Sequence, residues 1–391
     1  MEEEEIPLPD RCVVVGGLCY VAPYMSDRIY SVRDAFAGQP VAEVLAHAFR
    51  HATQEVAPAR THFLKEAAAG RVFLERHKNS REDSRPFTGG FAQVLDGEMA
   101  TEKGDRVRVV RHLHERAFAL RSLLRVVWRS DDDTVRVVHK PPGLPVVDEE
   151  GGVGTVGGMM GGWRCGHRLD VCVSGVLIMC KGGGTQARMI KALGPEGKLE
   201  KGVKKFYLAR VRGRIEEERR LCATMKHDTR AKRSFVVDDG ADGSVTVTIV
   251  QEGGKYDAKT NTSVVVVQIE SGYRHQIRCA LAHMGHPIVY DTVYGGGECE
   301  ETDLCVDGTN TAPRLYADDE AGTLQKMLRA NAVEWCDKCR WQLREAENGG
   351  SERGEKSAKK ALHFICLHAW RYIVPEFGID ATCTPPKWAV L

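Results

Sequence analysis

The segment His167-Arg168-Leu169-Asp170 stands just before Ser174-Gly175 and an apolar run, Val176 to Cys180. An aspartate ahead of an apolar strand is held at a fixed strand end, where burial and a neighbouring cation set its protonation. That is what a carboxylate acting as nucleophile or base requires. An isolated HRLD is read more simply as a solvated loop aspartate paired with Arg168. A second polar cluster, Ser271-Gly272-Tyr273-Arg274-His275-Gln276-Ile277-Arg278, opens a helix and runs into GHPIVYDTVYG (Gly285 to Gly295). An arginine presents a bidentate fork to phosphate or carboxylate, although a polar helix start also serves as a cap. A third segment, Lys204-Lys205-Phe206-Tyr207, joins basic and aromatic residues in the mixture that stacks a nucleic-acid base. Core packing of the tyrosine is its plainer alternative.

Thirteen cysteines and no apolar leader fit reduced thiols better than a disulfide scaffold. Cys336 and Cys339 form a CDKC pair, and with Cys299 and Cys305 they have a spacing that suits a structural zinc. Free thiols are the simpler reading, so no metal is assigned. The CDKC pair lacks the HxE partner of a zinc deaminase.

The elements that must position these groups fall into two regions. Val41, Val44, Leu45, Ala48 and Phe49 recur at helical spacing in Val41 to Ala57, and Phe63, Leu64, Ala67 and Ala68 repeat it before Gly70. Strands follow at Arg71 to Glu75 and Gly104 to Arg111, with Lys78 to Gly90 as the polar loop between them. These make a small module over 26–114, after an ill-patterned arm at 1–25. From 125 to 391 the chain is strand-dominated: Val173 to Cys180, Lys205 to Val211, Ser244 to Gln251, Ser263 to Glu270 and Ala361 to Val374. Helices are expected at Thr185 to Leu193 and Gln276 to Met284, and Gly151 to Gly162 reads as a flexible loop. Without regular strand-helix alternation this predicts an α+β domain on a mixed, largely antiparallel sheet. Residues 296–360 read as a polar surface insertion with a helical patch around Leu324 to Trp335.

The 391 residues are 42% hydrophobic and 28% charged, which excludes collagen-like, wholly disordered and membrane-embedded classes. The acidic start MEEEE lacks a secretory or transit pattern, so cytoplasm or nucleus is expected. Lys plus Arg (55) and Asp plus Glu (54) nearly cancel. Locally they segregate: Lys181 to Ile215 carries ten cations against two acids, +8, and Gly296 to Glu320 one against eight, −7. A basic strip is the footprint of a phosphate-backbone binder, or simply a solvated face.

Taken in order, VVHKPPGLPVV (Val137 to Val147), HRLDVCVSGVLIMCK (His167 to Lys181), KKFYLARVRG (Lys204 to Gly213), SGYRHQIRCALAHMGHPIVYDTVYG (Ser271 to Gly295) and LHAWRY (Leu367 to Tyr372) resemble the motifs of the RluA-type pseudouridine synthase family. The resemblance runs from about Trp128 to Pro375. It implies an intramolecular isomerase acting on RNA uridine without a cofactor. Asp170 matches the catalytic aspartate, Arg278 its arginine partner and Tyr207 the tyrosine that stacks on uracil. Arg168 matches the residue that fills the place of the flipped base. His167, Lys205, Arg274, His275, Gln276 and Lys140 are the further expected substrate or RNA contacts.

Departures are Val173 for threonine, Tyr273 for arginine and Tyr290 for glycine. The front end, including THFLKEAAAGRV and RHLHERAF, is similar to eukaryotic relatives of the tRNA pseudouridine-32 synthases and to an alpha-L module like that of ribosomal protein S-four. The expected partner is therefore RNA, with tRNA favoured over rRNA, engaged by a monomer with no membrane. The same reaction on ribosomal RNA, or a catalytically idle RNA-binding homologue, stays open.

Overall fold

A computed structural model of the protein describes residues 4–15, 18–49, 56–77, 90–115, 117–119, 122–147, 152–194, 202–237, 242–251, 253–270, 272–298, 322–347 and 364–389. All of the Lys78 to Gly90 loop except Gly90, nearly all of the acidic strip, Cys299 and Cys305 lie outside them, as do 50–55 within the first expected helix. The chain forms two compact units. The larger takes Met1–Ala22, Glu115–Ala330 and Trp341–Leu391, and the smaller takes Pro23–His114 with Asn331–Arg340.

In the larger unit the central sheet has thirteen strands. Its main path runs Glu4–Ile6, Leu124–Arg129, Val135–Lys140, Ser174–Lys181, Leu367–Val374, Lys204–Arg212, Thr262–Ile269, Ser244–Val250, Arg219–Asp228 and Arg233–Val237. One junction on this path is parallel, Ser174–Lys181 with Leu367–Val374, so the sheet is mixed and largely antiparallel as expected. Val176 to Cys180 are wholly buried, which explains their unbroken apolar run: both faces of a central strand are covered. Gly175 permits the junction, because with φ +112° a Cβ would stand 2.1 Å from the Ala369 carbonyl oxygen.

The first residues are not an unstructured arm. Glu4–Ile6 adds a strand to Leu124–Arg129, with Glu5 2.9 Å from Arg125, and Cys12–Val15 pairs Leu18–Val21 in a separate three-stranded sheet. The glycine-rich stretch is not simply a loop either. It holds a short helix, Val156–Met159, capped by the Thr155 hydroxyl, which accepts from the Gly158 amide at 3.0 Å.

The smaller unit packs helices Val41–Ala48 and Val56–Ala68 with an antiparallel sheet of Tyr24–Ser31, Arg106–Leu113, Val72–Glu75 and Ala92–Val94. Val44, Leu45, Phe63, Ala67, Val72, Val107 and Val109 build its core, as the two periodicities foretold. Gly70, at φ +73°, ends the second helix, its amide bonded to the Ala67 carbonyl. The unit extends beyond the expected module, since Asn331–Arg340 from the supposed surface insertion belongs to it.

Candidate active site

Asp170 lies in the loop that leads into the central strand Ser174–Lys181, and its side chain keeps 28% of its exposure. Arg278 projects from the helix Gln276–His283 and is buried, with 6% of its side chain exposed. Its Nη1 donates to Asp170 Oδ2 at 2.9 Å, while its Nε and Nη2 grip both oxygens of fully buried Asp291 at 2.6 and 2.8 Å. One guanidinium thus spans an accessible carboxylate and a buried one. Asp291 fixes the fork, and the free end of the fork holds the Asp170 side chain in place.

The loop carrying Asp291 is folded back on the strand Lys204–Arg212: the Val289 amide donates to the Arg210 carbonyl and the Arg212 amide to that of Pro287, both at 2.9 Å. Gly296 closes it by donating to the Asp291 carbonyl at 2.8 Å, and a Cβ there would lie 1.7 Å from the Ile288 carbonyl oxygen. Sequence reasoning quoted this segment without singling out Asp291; an aspartate followed by a glycine-bearing turn was the available signal.

His275 caps the helix at φ +54°, in the left-handed region. Its Nε2 is 3.6 Å from Asp170 Oδ2 and its Nδ1 3.1 Å from the Tyr294 hydroxyl. Burial, outweighing the pull of Asp170, holds the imidazole down at about 4, so at neutral pH it is uncharged and Arg278 is the cation facing Asp170. Tyr294 in turn accepts from the Ser234 amide at 2.7 Å. Tyr207 lies on the strand Lys204–Arg212, its hydroxyl bonded to that of Tyr372. Burial pushes the Tyr207 phenol up to about 12, which keeps its proton at neutral pH.

Four expected RNA contacts are turned inward. Lys140 is fully buried, and its ammonium donates to the carbonyls of Pro141, Leu144 and Val171 at 2.9, 2.9 and 3.2 Å, using all three protons. Lys205, 6% exposed, donates to the Leu193 carbonyl at the end of the helix Gly183–Leu193. Gln276 is 3% exposed and bonds Val247 and Thr248 through its amide nitrogen while accepting from the Tyr273 amide. His167 accepts from the Ile178 amide at 3.2 Å and stacks near Tyr372, and burial drives it down to about 3. These residues shape the fold around the site. Arg168 and Arg274 stay exposed. The +8 strip is not one basic face, since Lys205 is buried and Arg210 turns to Thr262, Thr260 and Asp257.

Tyr290 occupies φ +69°, which accounts for glycine as the usual occupant, and its ring packs on Phe364 with centroids 5.4 Å apart. Tyr273 packs against a cluster of Met225, Cys279 and Ala280.

A carboxylate pinned by a buried arginine, near a protonated tyrosine, brings together groups capable of acid-base or nucleophilic chemistry. The sequence profile of RNA pseudouridylate synthases matches residues 134–283, which contain Asp170, Tyr207 and Arg278. The matched segment thus carries the sequence of RNA pseudouridylate synthases, enzymes that isomerise RNA uridine. It is 27% identical to the uncharacterised protein K07E8.7 of Caenorhabditis elegans over 99% of this chain and 88% of that protein. It is also 27% identical to the uncharacterised RNA pseudouridine synthase YhcT of Bacillus subtilis, over 51% of this chain and 67% of that one. A structure of human RNA pseudouridylate synthase domain containing 1 aligns with a TM-score of 0.41 at 19% identity, covering 66% of this chain and 82% of that one. Among the described residues no helix is long and apolar enough to cross a membrane.

Proposed function

We propose that the protein converts one uridine of a folded RNA to pseudouridine, with Asp170 as the catalytic carboxylate, and that the RNA is a tRNA with its target in the anticodon loop. The observation that carries the residue roles is the Arg278 fork between Asp170 and Asp291. In this isomerisation the bond from ribose C1′ to uracil N1 breaks, the base turns, and C1′ bonds to C5. The proton leaving C5 is balanced by one gained at N1. Nothing is oxidised or reduced, so no cofactor is called for. Asp170 either attacks C1′ or takes a proton from the sugar, and the Arg278 contact at 2.9 Å orients its carboxyl group for either role. Tyr207, with its proton retained, faces the base and relays protons through its hydroxyl. Arg168, exposed beside Asp170, takes the space of the flipped base, and Arg274 meets phosphate.

Two features support tRNA. The front-end sequence resembles that of tRNA-acting relatives, and flipping costs least for a base already in a loop. The smaller unit's two helices against a sheet agree with an alpha-L type RNA-binding module. On its sheet Arg108 lies 4.3 Å from the Phe73 ring centre and 5.1 Å from that of Phe91, with Arg106 5.3 Å from Phe91. Such alternating cations and rings suit single-stranded RNA. In this reading the protein acts as a monomer in the cytoplasm or nucleus.

The test incubates purified protein separately with unmodified tRNAs and with rRNA fragments, mapping product by carbodiimide adduction and primer extension. One anticodon-loop stop, absent with Asp170→Asn while RNA affinity stays within a few-fold, is expected. Stops confined to rRNA overturn the substrate, and full turnover by Asp170→Asn overturns the chemistry.

A further inference from the structure

We propose that His112, His114, Cys336 and Cys339 of the smaller unit bind one structural zinc ion. Sequence spacing had paired the CDKC cysteines with Cys299 and Cys305, which lie outside the described residues; the chain folds two histidines against CDKC instead.

The four ligand atoms all lie within 4.8 Å of one another. His112 Nδ1 and His114 Nε2 are 3.2 Å apart, His114 Nε2 and Cys336 Sγ 3.3 Å, and Cys339 Sγ is 3.5 Å from both imidazole nitrogens. A zinc ion with bonds of about 2.05 Å to nitrogen and about 2.3 Å to sulfur has tetrahedral edges of about 3.3 Å between nitrogens and about 3.6 Å between nitrogen and sulfur. The observed separations match those edges. Two nitrogens and two sulfurs in a tetrahedron select zinc among the common cations and leave no open position, so the site is structural.

The local structure delivers each ligand. His112 and His114 are two residues apart at the end of the strand Arg106–Leu113, so they share a face. Cys336 and Cys339 straddle the start of the helix Asp337–Glu347, where the Cys336 amide donates to the Val333 carbonyl and the Arg340 amide to that of Cys336. The His112 ring also hydrogen-bonds the backbone of Asn331, and the Val333 backbone bonds the Cys339 sulfur. Partners of this kind orient metal ligands. Trp335 covers the cluster, with its ring 6.0 Å from His112 and the Arg71 guanidinium 4.3 Å above it.

The segment that the ion ties down is Asn331–Arg340. It joins the smaller unit although 222 residues separate Cys336 from His114, and its buried residues are the two cysteines. Two small thiols bury too little apolar surface to order ten residues. A metal bond to each sulfur supplies the missing free energy, since metal binding of this kind is folding free energy.

The test uses the full-length protein, grown with zinc and purified without chelator. About one zinc per chain by elemental mass spectrometry is expected, with release of the ion on mercurial treatment. Cobalt reconstitution should give the intense tetrahedral ligand-field bands and thiolate charge transfer of a two-sulfur site. The double variant Cys336→Ser/Cys339→Ser and, separately, His114→Ala should lose the metal, while Cys222→Ser, at an exposed cysteine, should keep it. Wild-type protein with negligible zinc and no cobalt charge-transfer band would overturn the proposal. So would undiminished zinc in the double cysteine variant. Because metal content is the readout, the result is independent of whether the RNA reading holds.

Discussion

Arg278 makes three hydrogen bonds to two carboxylates, and the buried one does the positioning. Asp291 is therefore a positioning residue rather than a catalytic one. In Asp291→Asn one guanidinium N–H faces an amide N–H instead of an oxygen, so the fork loosens. At about 1.5–3 kcal/mol for a hydrogen bond to a charged group, kcat should fall about 10- to 100-fold. KM should stay within about threefold, because the residue touches no RNA; single-turnover kinetics at saturating RNA measures the split, and an unchanged kcat would remove Asp291 from the machinery. Lys140→Met tests a different residue claim. Its loss strands the carbonyls of Pro141, Leu144 and Val171, which should cost about 1–3 kcal/mol of stability in urea unfolding while RNA affinity is unaltered. Weaker RNA binding without destabilisation would restore the surface role. Asp170 and Arg278 were legible because their type, order and spacing belong to a motif. Lys140, Lys205 and Gln276 entered as expected contacts through their motif positions, and a motif position does not report that each side chain is buried on internal partners. The warning was a charged residue at the end of an apolar strand, where only internal carbonyls satisfy it.

At the scale of elements, the parallel junction between Ser174–Lys181 and Leu367–Val374 carries the site, since one strand follows Asp170 and the other presents Tyr372 to Tyr207. Ser174 Oγ and His368 Nδ1, 2.8 Å apart, lock it. Burial drives His368 down to about 3 from its ordinary 6.5, so the folded state excludes a proton that the unfolded chain accepts. Stability from this group is complete above about 6.5 and is lost progressively as pH falls toward about 3. The urea midpoint should drop between pH 7 and pH 4, and His368→Gln should flatten that dependence while carboxylate titration stays common to both proteins. An equal slope in the variant would show that His368 is not the group responsible. Valine-rich strands and periodic helices were readable because their pattern is set by burial. The hairpin Arg219–Asp228 with Arg233–Val237 was not, since an edge of the sheet tolerates the charges in RRLCATMKHD that hide a strand. Glu4–Ile6 was hidden in the same way, its acids answered by Arg125 and Arg129 from the neighbouring strand.

For the whole molecule, the division into two units separates chemistry from the proposed recognition surface: Asp170, Tyr207, Arg278 and Asp291 all belong to the larger unit, and the arginine-phenylalanine ladder belongs to the smaller. No local pattern in the sequence reveals that a segment more than two hundred residues onward folds into the smaller unit. If the ladder meets RNA, its two arginines release counterions from the backbone. Arg106→Ala/Arg108→Ala should then weaken RNA binding and reduce the slope of log K against log salt by about 1.4–1.8, from roughly 0.7–0.9 per phosphate contact. Both cations also face acids, Glu75 for Arg106 and Asp27 for Arg108, so stability must be measured in parallel to separate a lost RNA contact from a loosened sheet. Turnover of saturating RNA should remain within about twofold, since none of the catalytic set lies in this unit. A variant with full stability, unchanged affinity and an unchanged salt slope would show that RNA is held elsewhere, with the exposed Arg168 and Arg274 of the larger unit the next cations to test.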